Sequence, residues 1–106
     1  MAWVVLFIAG IFEVVWAVGL KYTQGFTKPW PSVGAVGAMA VSFLLLSKAL
    51  ETIPVGTGYA VWTGIGAVGT VIAGMAILGE PRDAGRLVCV SLIIAGIVGL
   101  KLVSPR

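Results

Sequence analysis

The sequence predicts an all-α membrane protein with four transmembrane helices, and three features support this. Of its 106 residues 59% are hydrophobic and only 10% are charged, whereas a soluble domain carries about 25% charged residues. The apolar residues form four windows, each close to the roughly 20 residues that a helix needs to cross a bilayer. Charges, prolines and glycines stand between the windows, where helices end. We therefore expect residues 1–106 to form a single transmembrane domain.

The four predicted spans cover about residues 2–20, 31–47, 55–78 and 87–103. Pro31 and Pro54 stand at the starts of the second and third spans, and proline is tolerated in the first turn of a helix. Lys101 lies near the end of the fourth span, where its long side chain can reach the membrane surface. The spans leave no room for a soluble domain, so the protein is expected to act within the membrane.

The sequence carries no signature of an enzyme, a metal site or a nucleic-acid partner. One cysteine and no histidine make a disulfide framework or a zinc site within one chain untenable. Phosphate-binding loops and nucleophile elbows are absent from the sequence. The net charge of +3 is spread over loops and ends, which argues against nucleic acid. We expect a protein that is not an enzyme and uses no cofactor.

The positive charges barely favour one orientation of the chain in the membrane. The side with both termini and the second loop has three lysines or arginines, and the other side has four. The first set is Lys48, Lys101 and Arg106, and the second is Lys21, Lys28, Arg82 and Arg86. A clear Lys/Arg bias normally sets orientation. Either other determinants fix one orientation, or copies insert both ways and pair into an antiparallel homodimer.

Glu13 is the most informative residue, because it places a carboxyl group near the middle of the first span. The other residues from 1 to 20 are uncharged. A charge at the centre of a bilayer costs about 2.5–3.5 kcal/mol on insertion scales, and function is the default reason for keeping one there. We favour a titratable cation site over a structural polar contact between helices. A homodimer would bring two Glu13 carboxyl groups toward one site.

Four further side chains are candidates for the same site: Trp16, Ser42, Tyr59 and Trp62. Trp16 lies one turn beyond Glu13, so its indole N–H could donate to the carboxylate, or it could simply pack. Tyr59 and Trp62 share one helix face and could line a cation pocket or belong to an interfacial aromatic belt. Ser42 joins the site or bonds to a carbonyl one turn earlier in its own helix.

Small residues indicate where helices pack closely. Gly10 would let another helix approach the turn before Glu13. Gly64 and Gly66 form a candidate hinge for alternating access, or they permit close packing. A narrow seam of recurring residues on the fourth span predicts a helix–helix contact across a dimer, in which Cys89 is a packing residue and not a reactive thiol. The seam consists of Gly85, Cys89, Leu92, Gly96 and Gly99.

Five short motifs carry a family resemblance. They read FE at 12–13, KYTQGFT at 21–27, WPS at 30–32, IPVG at 53–56 and YAVWTGIG at 59–66. In their number, order and spacing, the chain resembles the small multidrug resistance family of four-helix bacterial exporters over essentially its whole length. Residues 10–16 read GIFEVVW, which is similar to the guanidinium-exporter subtype. The multidrug subtype typically has glycine at the position of Trp16 and tyrosine at that of Met39.

The resemblance implies an antiparallel, dual-topology homodimer in the bacterial inner membrane that exchanges protons for guanidinium, with the proton gradient as energy source. It implies that Trp16 and Ser42 hold Glu13 in place, while Tyr59 and Trp62 shape the pocket and its gate. Cys89 departs from the family pattern, since relatives often carry glycine there.

Two other functions stay open at this stage. A multidrug exporter would carry quaternary ammonium cations, which lack hydrogen-bond donors and need an open aromatic pocket; Trp16 beside Glu13 argues for a tighter site. A non-transporting accessory membrane subunit would instead pair Glu13 with a lysine or arginine of a partner helix.

Overall fold

The computed structural model describes residues 2–103, which form four α-helices. These are α1 (Ala2–Thr23), α2 (Pro29–Ala49), α3 (Val55–Ile77) and α4 (Ala84–Val103). With a rise of about 1.5 Å per residue, each is about 30 Å long or slightly longer, which matches the thickness of the bilayer core. All four are apolar enough to cross a membrane. The predicted all-α fold with four membrane-spanning helices is thus confirmed, while Arg106 of the charge balance lies outside the described residues.

The first two helices meet in a tight turn that the span prediction did not resolve. α1 runs to Thr23, beyond the predicted end at residue 20. The buried Thr23 hydroxyl donates to the Leu20 carbonyl at 2.8 Å and accepts from the Phe26 N–H at 3.2 Å. Gln24, Gly25 and Phe26 all have positive φ angles, so the chain reverses direction there. α2 then begins at Pro29.

α1 and α3 form the centre of the bundle. α1 packs against both α2 and α3, and α4 packs against α3. The buried core joins all of the first three helices and the second loop. Its members are Leu6, Ala9, Ala49, Ile53, Val61 and Trp62. On α4 only Val90 is buried, so most of that helix presents apolar side chains outward.

Glycines of α3 set how closely its neighbours approach. A Cβ on Gly64 would lie 2.9 Å from Cδ1 of Ile97 on α4. A Cβ on Gly69 would overlap Val14 of α1. On the facing side, a Cβ on Gly10 of α1 would lie 2.8 Å from Cβ of Ile65. Close packing therefore accounts for these glycines, and α3 is a continuous helix through 64–66; a hinge there stays a prediction.

Candidate functional site

Glu13 lies midway along α1 with its carboxyl group directed at the backbone of α3. The side chain is half-buried, and it lies so close to Gly66 that any Cβ at that position would overlap the carboxyl group. Its Oε1 atom is buried and accepts no hydrogen bond from any residue in the range 2–103. A buried acceptor without a donor costs about 1–3 kcal/mol, and more when charged. The site therefore contains an acceptor whose hydrogen-bonding capacity is unused within the protomer.

The other three carboxyl side chains lie in loops, and that of Glu80 packs so closely over Gly74 of α3 that a Cβ there would overlap it. Glu51 lies 3.6 Å from Lys48 Nζ, and both side chains are exposed. Asp83 accepts a hydrogen bond from the Arg86 N–H at 2.8 Å. Within residues 2–103, Glu13 is the one carboxyl group inside a helix, and no group of three or more potential metal ligands is present in that range.

Ser42 of α2 links α1 and α3 through two hydrogen bonds close to Glu13. Its hydroxyl is fully buried, donates to the Ala9 carbonyl of α1 at 2.7 Å and accepts from Trp62 Nε1–H of α3 at 3.0 Å. Ala9 lies one turn before Glu13, so its carbonyl is also the regular helical acceptor for the Glu13 backbone N–H. Ser42 thus bonds across helices instead of to its own helix. It fixes α1 at the turn that carries the carboxyl group.

Four aromatic side chains form a continuous row beside this junction. Trp16 meets Phe43 edge-on with ring centroids 6.3 Å apart. Phe43 lies 5.6 Å from Trp62, which in turn lies 5.7 Å from Tyr59. Trp62 is buried, whereas Tyr59 is 56% exposed. Phe43 is 47% exposed, so the aromatic row has one buried ring, that of Trp62, with a more exposed ring on either side. Its members come from three helices, and three of the four, Trp16, Tyr59 and Trp62, were predicted.

Phe43 is a member of the row that the sequence did not single out. It follows Ser42 directly on α2, but an apolar aromatic residue in an apolar helix has no polarity or spacing that sets it apart. Its proximity to Ser42 is the only signal that could have identified it. The structure gives it a defined position, because it separates the rings of Trp16 and Trp62.

The hydrogen bond expected from Trp16 to Glu13 does not form within the protomer. Trp16 Nε1 is buried and has no acceptor within residues 2–103, just as Glu13 Oε1 has no donor. The two groups lie one turn apart on α1. The protomer thus holds a buried donor and a buried acceptor that satisfy neither each other nor any neighbour.

The predicted seam of α4 lies on the outer surface of the protomer. Cys89 is exposed, and a Cβ on Gly96 would have no neighbour within 4 Å. Neither residue is therefore needed for packing within one chain. Both lie on a surface that could meet a second protein, and their role in a dimer stays a prediction.

Comparison with known proteins gives close matches along the chain. The family model described as "Small Multidrug Resistance protein" matches residues 1–93. A relative from Citrobacter freundii named "Guanidinium exporter" is 60% identical over 102 residues, covering 96% of this chain and 97% of the relative. Relatives of the same name from Salmonella typhi and Yersinia pseudotuberculosis are 58% and 55% identical. The second of these alignments covers 98% of this chain and 100% of the relative.

Proposed function

This chain belongs to the small multidrug resistance family, and we propose that it exports guanidinium in exchange for protons. The substrate is supported by relatives named guanidinium exporters, which are 55–60% identical over nearly the full length. Four membrane-capable helices and the family make it a multi-pass protein of the bacterial inner membrane. As a transporter it is not an enzyme, and the proton gradient in place of a cofactor supplies the energy.

The observation that carries the proposal is the unpaired, buried Oε1 of Glu13 in the interior of α1. Guanidinium is a planar cation whose N–H groups form a fork that fits the two oxygens of a carboxylate. A proton binds the same oxygens. The two ligands therefore compete, and binding of one releases the other. Coupled exchange follows if the protein changes its open side only when one of them is bound.

The neighbouring residues hold the carboxyl group and line the pocket. Ser42 positions the turn of α1 that carries Glu13, and its bond to Trp62 fixes the ring on α3. Guanidinium groups stack on aromatic faces, so Trp16 and Trp62 offer surfaces for the cation. Tyr59 lies at the exposed end of the aromatic row and acts as the gate.

The functional unit in this proposal is an antiparallel homodimer. The seam of α4 faces outward in the protomer, and Lys and Arg are divided three against four between the two sides. Antiparallel pairing gives two Glu13 carboxyl groups that share one pathway. The two protomers then exchange conformations, so that the pathway opens on alternate sides, as in transporters with inverted repeats. Residues 64–66 are the proposed hinge.

The aromatic row also gives some support to a multidrug exporter, because quaternary ammonium cations bind aromatic faces. Such a cation has no N–H donor, so it would leave Oε1 of Glu13 without a hydrogen bond. Guanidinium can both stack on the aromatic rings and donate a hydrogen bond to Oε1 of Glu13. The accessory-subunit hypothesis has no comparable support, because the relatives are named as exporters.

Transport by purified protein in liposomes, followed with an internal pH dye, tests the proposal. We expect a guanidinium gradient to drive protons in the opposite direction, and an equal gradient of tetrapropylammonium to drive none. Proton movement with tetrapropylammonium alone would instead identify a multidrug exporter. Absence of proton movement with both cations would support the accessory-subunit hypothesis.

A further inference from the structure

An apolar groove runs along the protomer on the side away from Glu13. α3 forms its floor through Ile65, and α1 and α4 form its walls. Two adjoining cavities make up the groove. Trp3 and Lys101 line one end, and Ile11 and Ile94 line the other. The lining is hydrocarbon or glycine except at the first end, where Lys101 brings a single positive charge.

The length of the groove matches one leaflet of a bilayer. Trp3 and Ile11 are eight residues apart on α1, which corresponds to about 12 Å along the helix. Lys101 and Ile94 are seven residues apart on α4, or about 10 Å. Half of the hydrocarbon core measures about 15 Å. The groove therefore extends from the helix ends near the membrane surface almost to the middle of the bilayer.

The charged end of the groove has a defined geometry. Lys101 Nζ lies 4.8 Å from the centroid of the Trp3 ring, which is within the range of a cation–π interaction. Tryptophan side chains prefer the level of lipid headgroups. The contact therefore keeps the ammonium group at the level of the lipid phosphates, at the membrane-surface end of the apolar groove. Basic positions beside grooves between transmembrane helices are suited to anionic headgroups.

The groove is separate from both the cation site and the proposed dimer seam. Ile11 lies two residues from Glu13 on α1, and Ile94 lies two residues from Gly96 on α4. Two residues turn a helix by about 200°, so each pair lies on opposite faces. A dimer formed through the seam therefore leaves the groove open to lipid.

We propose that this groove binds an anionic diacyl phospholipid of the phosphatidylglycerol type. One acyl chain lies between α1 and α4, and the phosphate contacts Lys101. The bound chain fills the space between two helices that are joined mainly through α3. The lipid thereby links α4 to the remainder of the protomer.

Native mass spectrometry of the purified full-length protein, titrated with palmitoyl-oleoyl phosphatidylglycerol or phosphatidylcholine, tests the site. The wild type should bind phosphatidylglycerol about fivefold more tightly, since one cation near the membrane surface contributes about 1 kcal/mol. Lys101→Gln should abolish that preference. Lys48→Gln, which removes an exposed cation outside the groove, should keep it. Val98→Trp, which places a large ring in the groove, should weaken binding of both lipids.

Three results would overturn the proposal: a preserved preference in Lys101→Gln, an equal loss in Lys48→Gln, or unchanged binding of both lipids in Val98→Trp. Lys101→Arg serves as a second variant, because it keeps the charge and should keep the preference. Lipid binding does not depend on the transport proposal. Glu13→Gln should therefore bind phosphatidylglycerol as the wild type does.

Discussion

At the scale of single residues, Ser42 determines the geometry around Glu13. The sequence identified Ser42 as a site residue but left its bonding partner open, because carbonyls of its own helix and of a neighbouring helix are chemically equivalent acceptors. Packing decides between them: the Ala9 carbonyl lies 2.7 Å away and Trp62 Nε1 lies 3.0 Å away. The expected hydrogen bond from Trp16 to Glu13 is absent, because a spacing of one helical turn brings two side chains near each other but does not orient the donor toward the acceptor.

Ser42→Ala should destabilise the protein by about 1–3 kcal/mol, because it leaves the buried Trp62 Nε1–H without an acceptor. Guanidinium affinity should fall as well, since α1 loses its anchor beside Glu13. Unfolding in detergent and guanidinium titration measure the two effects. Ser91→Ala is the matched control: this exposed hydroxyl bonds to Leu87 in its own helix, so its removal should change stability by less than about 0.5 kcal/mol. Equal effects of the two substitutions would contradict the assigned role.

Gly66→Ala should weaken guanidinium binding, because the new methyl group would overlap the Glu13 carboxyl group. Overpacking costs about 1–3 kcal/mol, which corresponds to a loss of about 5- to 150-fold in affinity. Gly56→Ala on the same helix is the control, since nothing lies within 4 Å of a Cβ there. An affinity in Gly66→Ala equal to that of Gly56→Ala would show that the carboxyl group does not bind the cation at this position.

At the scale of helices, the sequence predicted their number and approximate extent but not their packing faces. Apolar residues surround each helix, so no polar stripe marks an outer face. For this reason Phe43 could not be distinguished from other apolar residues of α2. From the sequence, the glycines of α3 could form a hinge or permit close helix contacts. Only the structure shows that Gly64 packs closely against Ile97 of α4. The seam of α4 was predicted from the spacing of its residues, and it lies on the outer surface; its contact with a second copy stays a prediction.

Gly96→Leu should dissociate the dimer while leaving the fold of each protomer intact. A Cβ at Gly96 has open space within the protomer, so a larger side chain interferes only with a partner. Light scattering in detergent measures the mass, and circular dichroism measures the helix content. Ser91→Leu is the control on the same helix, about 140° around from Gly96, and should remain dimeric. A dimeric Gly96→Leu protein would place the interface elsewhere.

At the scale of the whole molecule, one protomer provides only part of the transport pathway in the proposed dimer. α4 contacts α3 and leaves most of its surface exposed, and Oε1 of Glu13 has no hydrogen-bond donor among residues 2–103. The nearly balanced charges of the sequence left two alternatives, a single orientation or insertion in both orientations, and the family resemblance implied the second. The fold of one protomer fixes neither orientation nor pairing, since orientation depends on how the loop charges meet the membrane and pairing depends on a second copy.

Dual topology predicts that each loop is accessible from both sides of the membrane in equal proportion. Thr52→Cys and Gln24→Cys, each in a Cys89→Ala background, place one thiol in the second or the first loop. A membrane-impermeant maleimide added to intact cells should label about half of the copies of each variant. Full labelling of one variant and none of the other would establish a single orientation.

Proton release on guanidinium binding tests the shared Glu13 site most directly. Purified protein in weakly buffered detergent, with a pH indicator, should release protons when guanidinium is added, and guanidinium affinity should rise as the pH is raised. Glu13→Gln should release none. Glu51→Gln, which removes an exposed loop carboxyl group, should behave as the wild type. Proton release by Glu13→Gln equal to that of the wild type would contradict competition at this carboxyl group.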